Sequence, residues 1–469
     1  MKRTWILSLI PAVMVALTAC APRLNAPVVE VPERYRYADN VAADSVEVTQ
    51  RWWELFGDTT LNWLVERALQ NNRDLQIATS RIEQAREALR ITRAAYLPAI
   101  GGEISAEATY NREQRIVQDY AVEPTLSWEI SLFGALRHST VAARAEVAAL
   151  VWNRHGVALS LAAEVATNYF TLLQYERDLA IATRTAHLRR ESAALIDSMY
   201  RYGMSSGIDR EQAYSLVYMA EADIPNYRNA IERTHLSLNV LLGDVPQEYG
   251  PRGVGSELLT DRQPEELSVG VPSELLQRRP DIMQAYHTLQ QAAAEAGVAR
   301  SSRFPSIRLT ASAGIGASTL KGLTEHNPAI WSAAGTIVQP IFQAGALRAK
   351  ERAAVEQYNQ VAYQYEQTVL AAFSDVEQAL TRIVANREEV ERYTRLEDSY
   401  REIVTMAHAL YRNGMVDYLD VIDAERTLYG AQMQLVNLVT QQYINYVTLC
   451  KALGGGWQVA EDENTYLLR

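Results

Sequence analysis

Two hydrophobic rhythms organise the chain. Ala142, Ala145, Ala149, Trp152, Gly156, Leu159, Ala163, Ala166, Phe170 and Leu173 recur at alternating intervals of three and four. Val355, Tyr358, Ala362, Tyr365, Val369, Ala372, Val376, Ala379, Ile383, Asn386 and Val390 repeat the rhythm, with Asn386 its one clearly polar member. A 3.5-residue spacing keeps one helix seam against a neighbour along its whole length. Residues 135–202 contain no proline and one glycine, Gly156; residues 346–413 contain neither. At 1.5 Å per residue each stretch predicts an unbroken helix of about 100 Å. Two such helices form an elongated wall, because a compact domain would need a core equally deep.

The second rhythm has period two. Ile104, Ala106, Ala108 and Tyr110 alternate with Glu103, Ser105, Glu107, Thr109 and Asn111; Leu126, Trp128, Ile130 and Leu132 alternate with Thr125, Ser127, Glu129 and Ser131. Ile307, Leu309, Ala311, Ala313 and Ile315 stand opposite Ser306, Arg308, Thr310, Ser312 and Gly314, and residues 329–341 alternate less cleanly. These patterns predict hairpins over about 99–133 and 306–342. Segments of about ten residues, apolar on one side only, suit the strands of an outer-membrane barrel; the alternative is a small sheet packed on the helices.

The chain is written twice. Asn72-Arg73-Asp74-Leu75 aligns with Arg279-Pro280-Asp281-Ile282, and Tyr96-Leu97-Pro98 with Arg303-Phe304-Pro305, at an offset of 207. Beyond the hairpins the offset is 211, joining Gly134 to Gly345, Tyr200-Arg201-Tyr202-Gly203-Met204 to Tyr411-Arg412-Asn413-Gly414-Met415, Asp209 to Asp420 and Gly243 to Gly454. A tandem duplication follows, with a first repeat over 61–243 and a second over 272–454. Each holds an opening helical stretch, a hairpin, a long helix (135–202, 346–413), a glycine turn and a return helix (208–242, 417–453). Residues 244–271, rich in Gly, Pro and acidic side chains, read as the linker, and residues 455–469 as a tail.

Four strands cannot close a barrel alone. Unpaired backbone groups are not tolerated against lipid, and about eight strands is the smallest barrel with a fillable interior. Any spanning sheet must therefore be completed by further copies of the chain.

Composition narrows the partners. Lys and Arg number 45 and Asp and Glu 56, a net charge of -11, which argues against a nucleic acid as main partner. Cys20 and Cys450 are the only cysteines, and the seven histidines are scattered, so neither a zinc ribbon nor a disulfide scaffold is encoded. Lys2 and Arg3 precede an apolar run from Trp5 to Ala19, too short to span a bilayer and shaped like a secretory signal over 1–19. Leu17-Thr18-Ala19-Cys20 resembles a bacterial lipobox, which implies diacylglycerol and an N-acyl chain on Cys20, opening a lipidated extended segment over 20–60. The ordinary alternative is a signal peptide with a chance cysteine. Ala21, rather than Asp, after the cysteine implies sorting to the outer membrane by resemblance to lipoproteins.

In order along the chain, the lipobox, Trp52-Trp53-Glu54-Leu55-Phe56, Ser127-Trp128-Glu129-Ile130 with Leu132-Phe133-Gly134, Pro340-Ile341-Phe342-Gln343 with Gly345, and Tyr418-Leu419-Asp420-Val421-Ile422-Asp423-Ala424 resemble the TolC-like outer-membrane factors, in their lipidated OprM/NodT-type efflux branch. The resemblance covers nearly the whole mature chain. It implies a mainly α protein with a long α-helical barrel continued by a 12-stranded β-barrel shared by a homotrimer. Such trimers are passive exit ducts of tripartite pumps, joined through a periplasmic membrane-fusion adaptor protein to an inner-membrane RND-type transporter. Drugs and other small molecules are then the expected cargo, with type I protein secretion as the competing duct function.

By the same resemblance the two Tyr-Arg-x-Gly-Met turns, Tyr200, Arg201, Gly203 and Met204 and Tyr411, Arg412, Gly414 and Met415, form the adaptor-contact tips. Leu419, Asp423 and Arg426 match the apolar plug, the acidic ring and its basic partner of a periplasmic gate. The first repeat departs from that pattern with Ile208, Gln212 and Ser215, so the gate falls to the second. The plain alternative for Asp423 and Arg426 is an i,i+3 helix-surface pair worth a few tenths of a kcal/mol. Glu103, Glu107 and Glu129 suggest an acidic lumen with cation preference.

No cofactor, metal site or catalytic constellation is expected. Gly203-Met204-Ser205-Ser206-Gly207 fits the G-x-S-x-G elbow, but a helix enters it where that elbow needs a strand. Ser318-Thr319-Leu320-Lys321 fits S-x-x-K without its companion motifs, and the nine methionines form no cluster for soft metals. A lipoprotein hydrolase and a purely structural coiled coil are the alternatives from other classes.

Overall fold

A computed structural model describes residues 24, 27, 29–37, 48–112, 115–247, 272–325 and 329–456. The expected signal peptide, Cys20, most of the linker and the tail beyond residue 456 lie outside the described residues. A 3-10 helix, Trp52–Phe56, precedes α1 (Thr59–Asn71), α2 (Arg73–Ala94), β1 (Ala99–Asn111), β2 (Arg115–Ile130), α3 (Ala135–Arg201) and α4 (Gly207–Leu242). The same order then recurs as α5 (Pro272–Arg278), α6 (Pro280–Ser301), β3 (Ser306–Ala317), the one-turn α7 (Gly322–Glu325), β4 (Ala329–Val338), α8 (Ala346–Arg412) and α9 (Tyr418–Ala452). The opening helical stretch of the first repeat is two helices, because Asn72 turns extended and its side chain caps α2 at Asp74 N and Leu75 N.

α3 and α8 each run 67 residues, about 100 Å. Nine of the ten seam residues in α3 are buried, all but Gly156, and every seam residue of α8 is buried or half-buried. α3 lies against α4 and α8 against α9, while α6 lodges between α3 and α8 just below the sheet and α9 packs across to α3. Small seam residues let the axes approach closely; the packed seam, more than local propensity, holds such long helices.

The main apolar cluster sits at mid-height. Phe170 from α3 meets Phe56 at 5.1 Å and Tyr443 from α9 at 4.9 Å between ring centroids, and Trp52 is 1% exposed beside them. The Trp-Trp-Glu-Leu-Phe motif is thus a plug between the repeats. Asp58 caps α1 and accepts the Tyr169 hydroxyl, pinning that plug to α3.

The duplication reaches individual hydrogen bonds. Asn72 Nδ2 donates to Leu241 O, and Arg279, its duplicate, donates to Ala452 O, the duplicate of Leu241. Arg279 cannot cap a helix as Asn72 does, and is held by Asp281 and Asp375. Each return helix ends on a left-handed glycine, Gly243 at φ 71° and Gly454 at φ 85°. A Cβ there would lie 2.5 Å from Asn71 O and 2.8 Å from Arg278 O respectively, so backbone packs directly on backbone.

The sheet is antiparallel in the order β1-β2-β3-β4. Ala99 opposes Ser127 and Ser306 opposes Val338, so both hairpins share one register. β2 begins at Arg115, ten residues earlier than the alternation from Thr125 indicated, because Pro124 and the residues before it blur the pattern; Pro124 sits opposite Gly102. β4 stops at Val338, short of Ile341, since Pro340 follows and offers no N–H.

Gly243→Ala is expected to cost about 1–3 kcal/mol, because the left-handed backbone is strained and the added carbon has no room. Gly430→Ala, at an exposed site inside α9 with nothing within 4 Å, should instead add up to about 1 kcal/mol of helix stability. Thermal melts followed by tryptophan fluorescence should show opposite shifts.

Candidate functional site

The turns joining the helix pairs share one hydrogen-bond pattern. Met204 N donates to Met199 O and Gly203 N to Tyr200 O; Met415 N donates to Leu410 O and Gly414 N to Tyr411 O. This is the six-to-one, five-to-two Schellman closure, and the positive φ of Gly203 (72°) and Gly414 (69°) makes it possible. Tyr200, Arg201, Gly203 and Met204 in the first turn, and Arg412, Gly414 and Met415 in the second, are exposed, while Tyr411 is half-buried against Tyr418.

The two hairpins differ at the next residue. Ser206 and Asp209 form a complete capping box, to which Ser205 adds a third bond. Burial alone would raise the Asp209 carboxyl, but bonds from the Ser206 N–H and hydroxyl and the Ser205 hydroxyl outweigh it and hold the carboxyl low. Ser205 is therefore a cap ligand. In the second hairpin Asp417 stands at the cap with no side-chain bond, so α9 starts without a stabilisation worth about 1 kcal/mol.

A small apolar cluster ties the tips together: Ala193 and Ile196 of α3, Ala213 and Val217 of α4, Ala407 of α8, and Tyr418, Val421 and Ala424 of α9. It is separate from the mid-height core, and the seam between them mixes buried alanines (Ala182, Ala186, Ala220) with buried polar groups. Arg189, 3% exposed, lies over the Tyr429 ring, with Nε 3.5 Å from Glu425 Oε2 and Nη1 donating to Leu216 O at 3.1 Å. Burial lowers the Arg189 pKa, and Glu425 opposes that shift. His408 Nε2 lies 2.9 Å from Glu425 Oε1, and the Tyr429 hydroxyl donates to Asp223 at 2.8 Å. Higher on the seam Asp178 is 4% exposed, and its Oδ1 has no hydrogen-bond partner. Burial pushes that carboxyl up to about 7, and a bond with Gln174 only partly offsets it. No helix periodicity marks these groups; Asp178, Arg189 and Glu425 read in sequence as ordinary helix charges.

Leu419, Asp423 and Arg426 all lie on the exposed side of α9, and Leu419 is 61% exposed. No ion pair joins Asp423 to Arg426 within the chain, so the plain helix-surface pairing is not made. Both charges face outward from the subunit.

On the sheet, one face carries Ile104, Tyr110, Trp331 and Ile337, all largely exposed. The other carries Glu103 opposite Glu123 and Glu107 opposite Asp119, two like-charged cross-strand pairs. The sequence reading reached Glu103 and Glu107 but missed Asp119 and Glu123, which lie in the unrecognised start of β2. Glu129 differs from them: it opposes Arg308, whose Nη2 is 3.6 Å from Glu129 Oε2, so this part of the polar face is neutralised. Among the described residues no group of three His, Cys, Asp or Glu side chains converges as metal ligands.

The described N-terminal residues lie along the helices. Tyr35 is buried in the mid-height core and Arg36 N donates to Glu377 at 2.8 Å, while Leu24 packs with Leu289 and Ala292 of α6 and Tyr358 of α8. Leu289 stands twelve residues before the end of α6 and Tyr358 twelve after the start of α8. Leu24 is thus about 18 Å below the base of the sheet.

A family model described as outer membrane efflux protein matches residues 64–244 and 271–455. The cation efflux system protein CusC of Escherichia coli strain K12 is 31% identical over 450 residues, covering 95% of this chain and 98% of its own length. The solvent efflux pump outer membrane protein SrpC of Pseudomonas putida is 35% identical over 419 residues, covering 87% and 88%. The fold is similar to the crystal structure of the open state of the Neisseria gonorrhoeae MtrE outer membrane channel, with a TM-score of 0.82, 29% identity, and coverage of 93% and 98%.

The Asp178 shift has a defined sign. Between an ordinary 3.8 and about 7 the folded chain holds a proton that the unfolded chain has released, so stability falls as pH rises through that window and is level above it. Asp178→Asn is expected to melt higher than the parent at pH 8, by on the order of a few kcal/mol at most, with the gap closing toward pH 4.

Proposed function

The chain belongs to the outer membrane efflux protein family, and from that premise we propose how its copies assemble and what they carry. It is an outer-membrane efflux channel subunit of TolC-like architecture that extends from the membrane into the periplasm. Three copies close into one conduit, so that three four-stranded sheets make a 12-stranded barrel and the paired long helices continue it as a periplasmic tube. The observation that carries this reading is the sheet with two unpaired edges, β1 and β4, whose apolar face needs lipid while its backbone edges cannot meet lipid.

The duct is passive, and no chemistry is assigned to it. Small molecules reach it from an inner-membrane RND-type transporter through a periplasmic adaptor that docks on the two glycine turns. CusC is described as a cation efflux protein and SrpC as a solvent efflux protein. Such different cargo on similar channels supports selection by the transporter rather than the duct.

The gate lies at the start of α9. Leu419 from three chains forms the apolar plug, and Asp423 and Arg426, which make no ion pair with each other in the folded subunit, bond across subunits and exchange those bonds for adaptor contacts on opening. The uncapped N-terminus of α9 makes the second hairpin the easier one to move.

Cys20 carries the lipid. Leu24 is four positions further along, a reach of at most about 14 Å, which brings an acyl chain from the flank of α6 to the periplasmic leaflet beside the barrel. A single anchor adds attachment without spanning.

Reconstituted in planar bilayers, the Asp423→Ala, Arg426→Ala double variant should show a single-channel conductance several-fold above the parent; unchanged conductance removes the gate assignment. Metabolic labelling with radioactive palmitate should be lost on Cys20→Ala, while the native mass in detergent stays that of a trimer. A monomeric mass for the parent chain would end the trimer reading.

A further inference from the structure

The foot of the sheet carries a charge pattern that a passive duct does not call for. Four arginines stand where helices meet strands: Arg93 and Arg300 are the last but one residues of α2 and α6, and Arg137 and Arg348 are the third residues of α3 and α8. The duplication relates them in pairs, Arg93 to Arg300 by 207 positions and Arg137 to Arg348 by 211. All four lie within one helical turn, about 5 Å, of the helix ends beneath the sheet.

Neither helix stability nor ion pairing accounts for the set. A cation suits the C-terminal end of α2 or α6, but it is unfavourable in the first turn of α3 or α8, where no acidic residue offsets it. Among the described residues none of the four makes an ion pair. The acids close to them along the helices are held inside the subunit, Glu87 by Arg90 and Glu351 by Arg303. The chain as a whole has a net charge of -11, so this local excess of cations runs against its composition.

The arginines also share one side of the helical wall. Just below the sheet a cleft between α3, α6 and α8 is lined by Ala142, Glu146, Glu295, Val298 and Lys350. Arg137 is nine residues before Glu146, Arg300 two after Val298 and Arg348 two before Lys350, each about half a turn round its helix. These three therefore stand across the wall from the cleft, and Arg93 repeats the place of Arg300 on α2. Arg300 is eleven residues, about three turns, beyond Leu289, which packs with Leu24. It thus ends the face of α6 along which the N-terminal segment lies.

Exposed apolar side chains fill the gap between the strands and these arginines: Leu97 at 71%, Leu132 at 57%, Ile341 at 95% and Phe342 at 86%. Apolar strands, then apolar connectors, then long cations make the profile of a membrane–water boundary. There an arginine stem lies along hydrocarbon while its guanidinium reaches phosphate.

We infer that Arg93, Arg137, Arg300 and Arg348 bind the headgroups of anionic phospholipids in the periplasmic leaflet of the outer membrane, seating each subunit by guanidinium contacts to lipid phosphate. The inference rests on the trimeric barrel proposed above, which sets the foot of the sheet at that leaflet, and it adds a lipid partner. Charge selects an anionic lipid, because a zwitterionic headgroup brings its own cation to compete for the phosphate.

The test uses full-length protein extracted in mild detergent, re-lipidated with equal amounts of phosphatidylglycerol and phosphatidylcholine and washed in detergent alone, with retained lipids counted by native mass spectrometry. The parent should keep phosphatidylglycerol about five-fold or more over phosphatidylcholine, and about 0.5 M salt should remove most of that excess. Arg137→Gln with Arg348→Gln should bring the ratio close to parity, whereas Arg137→Lys with Arg348→Lys should keep most of it. Arg81→Gln with Arg382→Gln makes the same change in charge at exposed positions twelve or more residues further down α2 and α8, and should match the parent.

Three results overturn the lipid contact and leave the trimer standing: equal retention of the two lipids by the parent, an excess that survives the salt, or an undiminished excess in the Gln double variant. A monomeric native mass for the parent overturns the trimer instead, and the lipid ratio of that particle decides the contact separately.

Discussion

Everything in this molecule depends on backbone hydrogen bonds that one chain cannot complete. A lipid-facing sheet cannot leave N–H and C=O groups unpaired, yet β1 and β4 each present a full row of them. A soluble protein would blunt such edges with charge, proline or a covering helix. Here they are long, regular and flanked by exposed isoleucine, tyrosine and tryptophan, which suits an edge meant to be completed by another copy. Assembly and membrane insertion are thereby coupled, because the surface that belongs in lipid and the edges that must not meet it lie on the same strands.

Below the sheet the same economy of length governs the helices. Two 67-residue helices have no globular core to wrap, so their stability comes from a seam one or two side chains wide, built of alanine and interrupted by aromatic packing at mid-height. Gly243 and Gly454 end the return helices against bare backbone and close the two repeats in the same way. The seam is divided: the mid-height cluster and the tip cluster are separate, and Arg189, Glu425, His408, Tyr429, Asp223 and Asp178 occupy the interval. These buried polar groups separate the two apolar clusters, and the tip below them carries Leu419, Asp423 and Arg426.

The two repeats have diverged where the functional reading needs it. The first hairpin carries a complete capping box at Ser206 and Asp209, whereas Asp417 leaves the second uncapped. Arg279 has replaced the capping Asn72 and keeps only its tie to the return helix. Duplication supplied two similar halves of a wall, and divergence left one return helix capped and the other uncapped.

Spacing and alternation alone determined the long helices, the four strands, the glycine turns and the incompleteness of the sheet, because each is written as a local periodicity or as a repeat of fixed offset. Tertiary structure decided what periodicity cannot encode. Pro124 hid the first ten residues of β2, and with them Asp119 and Glu123; only the strand register set these opposite Glu107 and Glu103, and Arg308 opposite Glu129. Arg189 and Glu425 lie 236 positions apart and meet only when two hairpins pack. Asp423 and Arg426, correctly spaced for a helix-surface pair, are left apart in the folded subunit. The cause is the same in each case: a periodicity states which face of an element is apolar, whereas the partner of a charged group depends on which element arrives opposite it.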